Sequence, residues 1–184
     1  MGKPLRFAEN AIIITACALA LSCATTRQKT DTYIFADPLP LTRPIDAWLR
    51  TIEIVSNNLP LTEEYALVSD SLAAIASRHE FLLSSARGDQ PYIVDLIIHE
   101  RSYTVDLATS HSVMAVLNMD SSTDASPRVA RVVYTAVTPE SIVSLYQVTE
   151  ICEKMLASLR KAMIEEAEKA REKQKKDSGI VTPS

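Results

Sequence analysis

Between Ile142 and Met163 the chain repeats Ile142, Leu145, Thr149, Cys152, Leu156, Leu159 and Met163 at alternating spacings of three and four residues. That period is one face of an α-helix, and Val148 and Met155 widen the face until it needs a broad surface to cover. Thr138-Pro139-Glu140 supplies the start signal: an N-capping threonine, a proline at the first helical position and an acid in the first turn. Beyond Met163 the run EEAEKAREKQKK is charged all round, with Glu165 and Lys169, and Glu172 and Lys176, four residues apart. This reads as the solvated end of the same helix, fraying by Gly179. A coiled-coil seam would have the same spacing. The breadth of the stripe and the small Thr149 and Cys152 within it favour packing on the protein's own sheet.

The remainder supplies that sheet. Trp48 to Val55 alternates as a strand, with Trp48, Arg50, Ile52 and Ile54 on one side. Thr62 to Glu80 reads as a second helix: Thr62 caps it, Glu63 and Glu64 suit its first turn, and Tyr65, Val68, Leu72, Ile75, Ala76 and His79 form one face. Phe81 to Ser84 is a short strand. Tyr92, Val94, Leu96 and Ile98 form the apolar face of a long one, whose other face reads Ile93, Asp95, Ile97, His99 and Arg101. Ser112 to Met119 is apolar on both faces. After a turn cluster from Asp120 to Pro127, Val129 to Val137 presents Ala130, Val132, Tyr134 and Ala136 on one side. The expected class is α+β: an antiparallel or mixed sheet of about four to five strands, two helices on one face, and a long C-terminal helix with a charged end.

The first 23 residues have a different grammar. Lys3 and Arg6 precede an apolar run from Ala11 to Leu21, which ends at Ser22 and Cys23. This is the pattern of a secretory signal, and a run of eleven is short of the ~20 apolar residues needed to span a bilayer. Ala20-Leu21-Ser22-Cys23 resembles a bacterial lipobox, with Ala20 and Leu21 in reversed order. Ile14-Thr15-Ala16-Cys17 fits the local pattern better but leaves too short an apolar region before it, so Cys23 is the expected lipidation site, with Cys17, a plain secreted protein and an uncleaved anchor as the alternatives. The organisation expected is a signal peptide over 1–22, a lipidated cysteine with a Pro-rich tether over 23–44, a folded domain over 45–164, and a charged helix end and tail over 165–184. With Cys23 acylated, Cys152 has no intrachain partner, so no disulfide framework is expected.

Several chemistries are excluded by counting. The chain has three glycines in 184 residues and a net charge of −4. A phosphate cradle needs clustered glycines, and a nucleic-acid surface needs concentrated basic residues. His79-Glu80 and His99-Glu100 lack metal-ligand spacing, and His111 stands alone. Ser158-Leu159-Arg160-Lys161 matches an SxxK string, but inside a helix and without the accompanying motifs of penicillin-recognising enzymes. Cys152 lies on the apolar stripe, where a buried thiol is inert. No catalytic residue, metal or cofactor is expected.

The segments TIEIVSNNLPLTEE, PYIVDLIIHERSY and VMAVLNMD, in that order behind a lipobox-like start, resemble small bacterial envelope lipoproteins. Two families share this order: the auxiliary lipoproteins of ABC-type lipid transport, and the lipoprotein that plugs the lipopolysaccharide-assembly barrel. Both families carry a glycine in the second hairpin where this chain has DSSTDASP. The resemblance implies a non-enzymatic accessory subunit, anchored in the cell envelope, facing the periplasm and docked on a larger envelope protein. The face Ile93, Asp95, Ile97, His99 and Arg101 is the expected partner surface, two isoleucines ringed by charge. Alternative readings are a carrier of a small apolar ligand and, behind it, a hydrolase whose residues meet only in three dimensions.

Overall fold

The computed structural model describes residues 27–35, 44–57, 59–60, 65–105, 107–123, 128–139, 141 and 145–177. The elements are strands β1 (Arg27–Ile34), β2 (Ile45–Ser56) and β3 (Leu59–Pro60), helix α1 (Tyr65–Arg78), and strands β4 (Phe81–Ser84), β5 (Tyr92–Val105), β6 (Ala108–Ser121) and β7 (Arg128–Thr138), then helix α2 (Leu145–Asp177). All strands join one mixed sheet in the order β1-β7-β6-β5-β2-β3, with β4 also on β2. β2 runs parallel to β4 and β5, and the meander β5-β6-β7 and β1 are antiparallel. Both helices cover one face: α1 lies over β2 and β4, α2 over β1 and β7, and the two touch. The expected α+β architecture is the observed one.

The core lies between the helices and this face. Tyr92, Val94, Leu96 and Ile98 meet Val113, Ala115, Leu117 and Met119, then Ala130, Val132, Tyr134 and Ala136, all buried as their alternation requires. From above come Val68, Leu72, Ile75 and Ala76 of α1 and Cys152, Leu156, Leu159 and Met163 of α2. The expected cap at Thr62 and the side chains of Ile142 and Leu145 lie outside the described residues, whereas Thr138, expected to cap the long helix, is the last residue of β7, paired with His111, and the helix starts at Leu145.

Three features depart from the sequence reading. Among the described residues the sheet has seven strands rather than four or five. The stretch 23–44, expected as a tether in which Tyr33-Ile34-Phe35 could form a short strand, contains the eight-residue β1, so the sheet takes in residues upstream of Ile45. β1 escapes a hydrophobicity pattern because it meets α2 through polar groups: Thr32 Oγ1 lies 2.7 Å from Ser158 Oγ, and Lys154 Nζ donates to Gln28 Oε1 at 2.6 Å. The third departure is a phase change in β2. Ile45, Ala47 and Leu49 are buried, then Ile52 and Ile54, because the ladder slips between Leu49 and Thr51. Arg50 and Thr51 together oppose Asp95 as a β-bulge, which moves Trp48 and Arg50 away from the side of Ile52 and Ile54.

Candidate interaction face

The sheet face opposite the helices carries the expected partner residues. Ile93, Asp95, Ile97, His99 and Arg101 all fall on it by the alternation of β5, and the structure brings in neighbours from the adjoining strands. Ile97 pairs with Val116, and Val116 with Val133, giving an apolar row across three strands with Glu53 at one end and Asp31 at the other. Met114, 47% exposed, and Val137 extend the apolar surface toward one end of the sheet. Sequence reasoning missed Met114, Val116 and Val133. The signal was present in β6, apolar on both faces: one face feeds the core and the other is left over.

At the opposite end of this face the polar residues form a network. Arg50 Nε donates to Asp95 Oδ1 at 3.0 Å, and its Nη2 lies 2.5 Å from Asp95 Oδ2 and 3.7 Å from Asp120. Arg128 Nε donates to Asp120 Oδ1 at 2.6 Å and Nη1 to Asn118 Oδ1 at 2.5 Å, which also accepts from Arg131 Nε at 2.9 Å. The hydrogen bond with Asp95 raises the pKa of Arg50 above the usual arginine value. Asp95, expected as an exposed rim charge, is instead buried by this pairing, and Asp120 and Asn118 with it. His99 lies 3.8 Å from Glu53, and Arg101 is exposed. Next to the network is an open recess of about 290 Å³ lined by Trp48, Arg87, Gln90 and Ile93, with the Arg87 guanidinium 5.4 Å above the Trp48 ring.

A second polar cluster sits on the helix side of β5, toward its far end. The Glu100 carboxyl group, on a residue 2% exposed, accepts from Ser56 Oγ at 2.8 Å and Ser141 Oγ at 3.1 Å, and lies 3.1 Å from His111 Nδ1. Ser102 Oγ approaches the same Nδ1 at 3.0 Å. A hydrolytic relay needs the acid on one ring nitrogen and the nucleophile on the other. Here both meet Nδ1, so the contacts do not have that geometry, and they tie β2, β5 and β6 together. His79 is likewise paired across elements, with Glu153 at 2.7 Å. Ser158 of the SxxK string bonds Thr32 in mid-helix. Among the described residues no group of three or more His, Cys, Asp or Glu side chains converges as metal ligands do.

Cys152 is buried without a disulfide partner, and burial pushes its thiol up to about 12. Maleimide should therefore label the native protein far more slowly than the unfolded protein, because the thiolate is the reacting species. Native labelling as fast as in denaturant would show that α2 leaves the sheet.

The groove between α1 and α2, about 480 Å³, is lined by Ala74 and Ile75 but also by Arg78, Glu150 and Glu153 and is open to solvent. A carrier of apolar ligands needs an enclosed apolar cavity, and this groove is charged at its rim. Among the described residues no helix is long and apolar enough to cross a membrane.

No family model matches the chain, and no curated protein matches it. Among solved structures it is similar to a single-residue variant of the PelC dodecamer from Paraburkholderia phytofirmans, with 11% identity over 73% of this chain and 99% of that one at a TM-score of 0.49. A PDZ domain protein from Parabacteroides distasonis shares 6% identity over 78% of this chain and 37% of its own, at a TM-score of 0.43. Protein XCC0632 from Xanthomonas campestris shares 11% over 79% and 96%, at 0.36. At these values nothing about activity carries over to this chain.

Proposed function

We propose that the protein is a lipid-anchored, non-enzymatic accessory subunit of the bacterial cell envelope. It is held to a membrane through Cys23, faces the periplasm, and docks on a larger complex of lipid transport or outer-membrane assembly. The observation that carries the reading is the sheet face that no described element covers: the row Ile97, Val116 and Val133, with Met114 beside it, bordered by paired charges. An apolar centre with a polar rim is the anatomy of a protein interface. The seat of the charged half of α2 fits the same reading. Gln28 meets Lys154 and Thr32 meets Ser158, so α2 runs parallel to β1 and away from the anchor, and its exposed end from Arg171 to Asp177 projects on the far side.

Ile97→Asp tests it. The substitution should leave the domain folded and weaken crosslinking of the partner in native membranes by at least ~1 kcal/mol, as expected near an interface centre. Met114→Lys, at a more exposed position of the same face, should act in the same direction with less demand on the fold. Undiminished crosslinking in both variants removes this face as the docking surface.

A further inference from the structure

The hairpin joining β5 to β6 ends in a residue that folding does not account for. Val105 pairs with Ala108, so residues 106 and 107 form the whole connection. Leu107 is 100% exposed and holds φ at 69°. A left-handed position in a two-residue hairpin loop is ordinarily filled by glycine or asparagine, because a Cβ is disfavoured there. A leucine in that place accepts backbone strain and offers its whole side chain to the surroundings. Strain of this kind is a pointer to function when it is observed and has no packing reason.

The position of this tip follows from the ladder. Arg27 pairs with Val137, Val137 with Ser112, and Ser112 with Arg101, so these four share one level of the sheet. Past that level β5 and β6 continue by four residues to Val105 and Ala108, about 13 Å at the usual strand rise. β1 is antiparallel to β7, so its first residue, Arg27, stands at this same end of the sheet. Cys23 is four residues upstream, so an extended backbone lets it reach about the same ~13 Å. The lipidation site and the hairpin tip can therefore stand at one height.

We propose that the β5–β6 hairpin tip rests in the surface of the lipid bilayer that holds Cys23, with Leu107 in the acyl boundary. This rests on the anchoring proposed above and adds to it an orientation: the sheet stands upright on the membrane. The residues behind the tip follow the polarity profile of a bilayer surface. Leu107 is outermost, Tyr103, 44% exposed, lies two ladder positions back, and the exposed Arg101 and Arg27 lie four positions back at headgroup height. Tyrosine favours the interface and arginine the phosphates.

The test uses the full-length lipidated protein in vesicles of phosphatidylethanolamine and phosphatidylglycerol containing doxyl-labelled phosphatidylcholine. A polarity-sensitive fluorophore is placed at Leu107→Cys, and in a second variant at Leu82→Cys, an exposed site on β4 at the opposite end of the sheet. Buried Cys152 and acylated Cys23 do not compete for the label. Quenching at position 107 should exceed that at position 82 several-fold. Equal quenching at both sites, or none at 107 while Cys23 still incorporates labelled acyl chains, overturns the tip contact and leaves the anchor standing. Loss of acyl labelling at Cys23 itself overturns the anchor and this orientation together.

Discussion

Cys23→Ser should abolish acyl labelling and move the protein from the membrane fraction to the soluble one, or leave it as an unprocessed precursor. The effect is expected to be close to complete because acyl chains contribute ~0.8 kcal/mol per buried CH₂, and two or three chains hold far more tightly than one. Nothing in the described domain replaces them: no helix among the described residues is apolar enough to span, and the hairpin tip offers one leucine. Fractionation with labelled palmitate reads both effects at once. Acyl labelling that persists in the serine variant would move the anchor to Cys17, and unlabelled wild-type protein would remove the anchor from the account.

The largest effect on folding should come from Glu100→Ala. Its carboxyl group, on a residue 2% exposed, is the shared acceptor for Ser56 and Ser141 and the neighbour of His111. Removing this buried acceptor takes a partner from two hydroxyls and leaves a space in its place, at a cost of about 2 kcal/mol. Glu100→Gln keeps one acceptor oxygen and should lose less. Glu53→Ala, at an exposed glutamate 3.8 Å from His99, should shift stability by no more than ~0.5 kcal/mol. Urea titration of the three variants gives the order. A Glu100→Ala protein as stable as the wild type would mean that the cluster does not hold β2 to β5 and β6.

What could be read from the sequence follows from where side chains meet apolar neighbours. The α2 stripe and the inward faces of β5, β6 and β7 obeyed their periods, so Cys152, Leu156, Leu96 and Val132 lie where the spacing placed them. β1 did not, because Gln28, Thr30 and Thr32 face the helix side, and Gln28 and Thr32 are joined to it by hydrogen bonds that leave no hydrophobic pattern. The bulge at Arg50 was hidden for a related reason. One unpaired residue switches the buried side of β2, and Arg50-Thr51 carries no glycine to mark it.

The face proposed for a partner was legible in part. Ile93 and Ile97 share it with Arg101 as the alternation required, and β6 announced a second apolar face without saying which strands would stand beside it. The burial of Asp95 was not legible, since it depends on Arg50 from a bulge and on Asp120 and Arg128 from beyond a turn. Those arginines tie one end of the expected rim into a network of its own and leave the Ile97–Val116–Val133 row as the surface proposed for a partner.

Site-specific photocrosslinking in intact envelopes tests this most directly. A photoreactive side chain at Met114, on the open face, is compared with one at Glu150, exposed on α2. Docking through the sheet predicts one reproducible adduct of defined mass from position 114, lost in the Ile97→Asp background, and none of that mass from position 150. An adduct from position 150 with none from position 114 would contradict it.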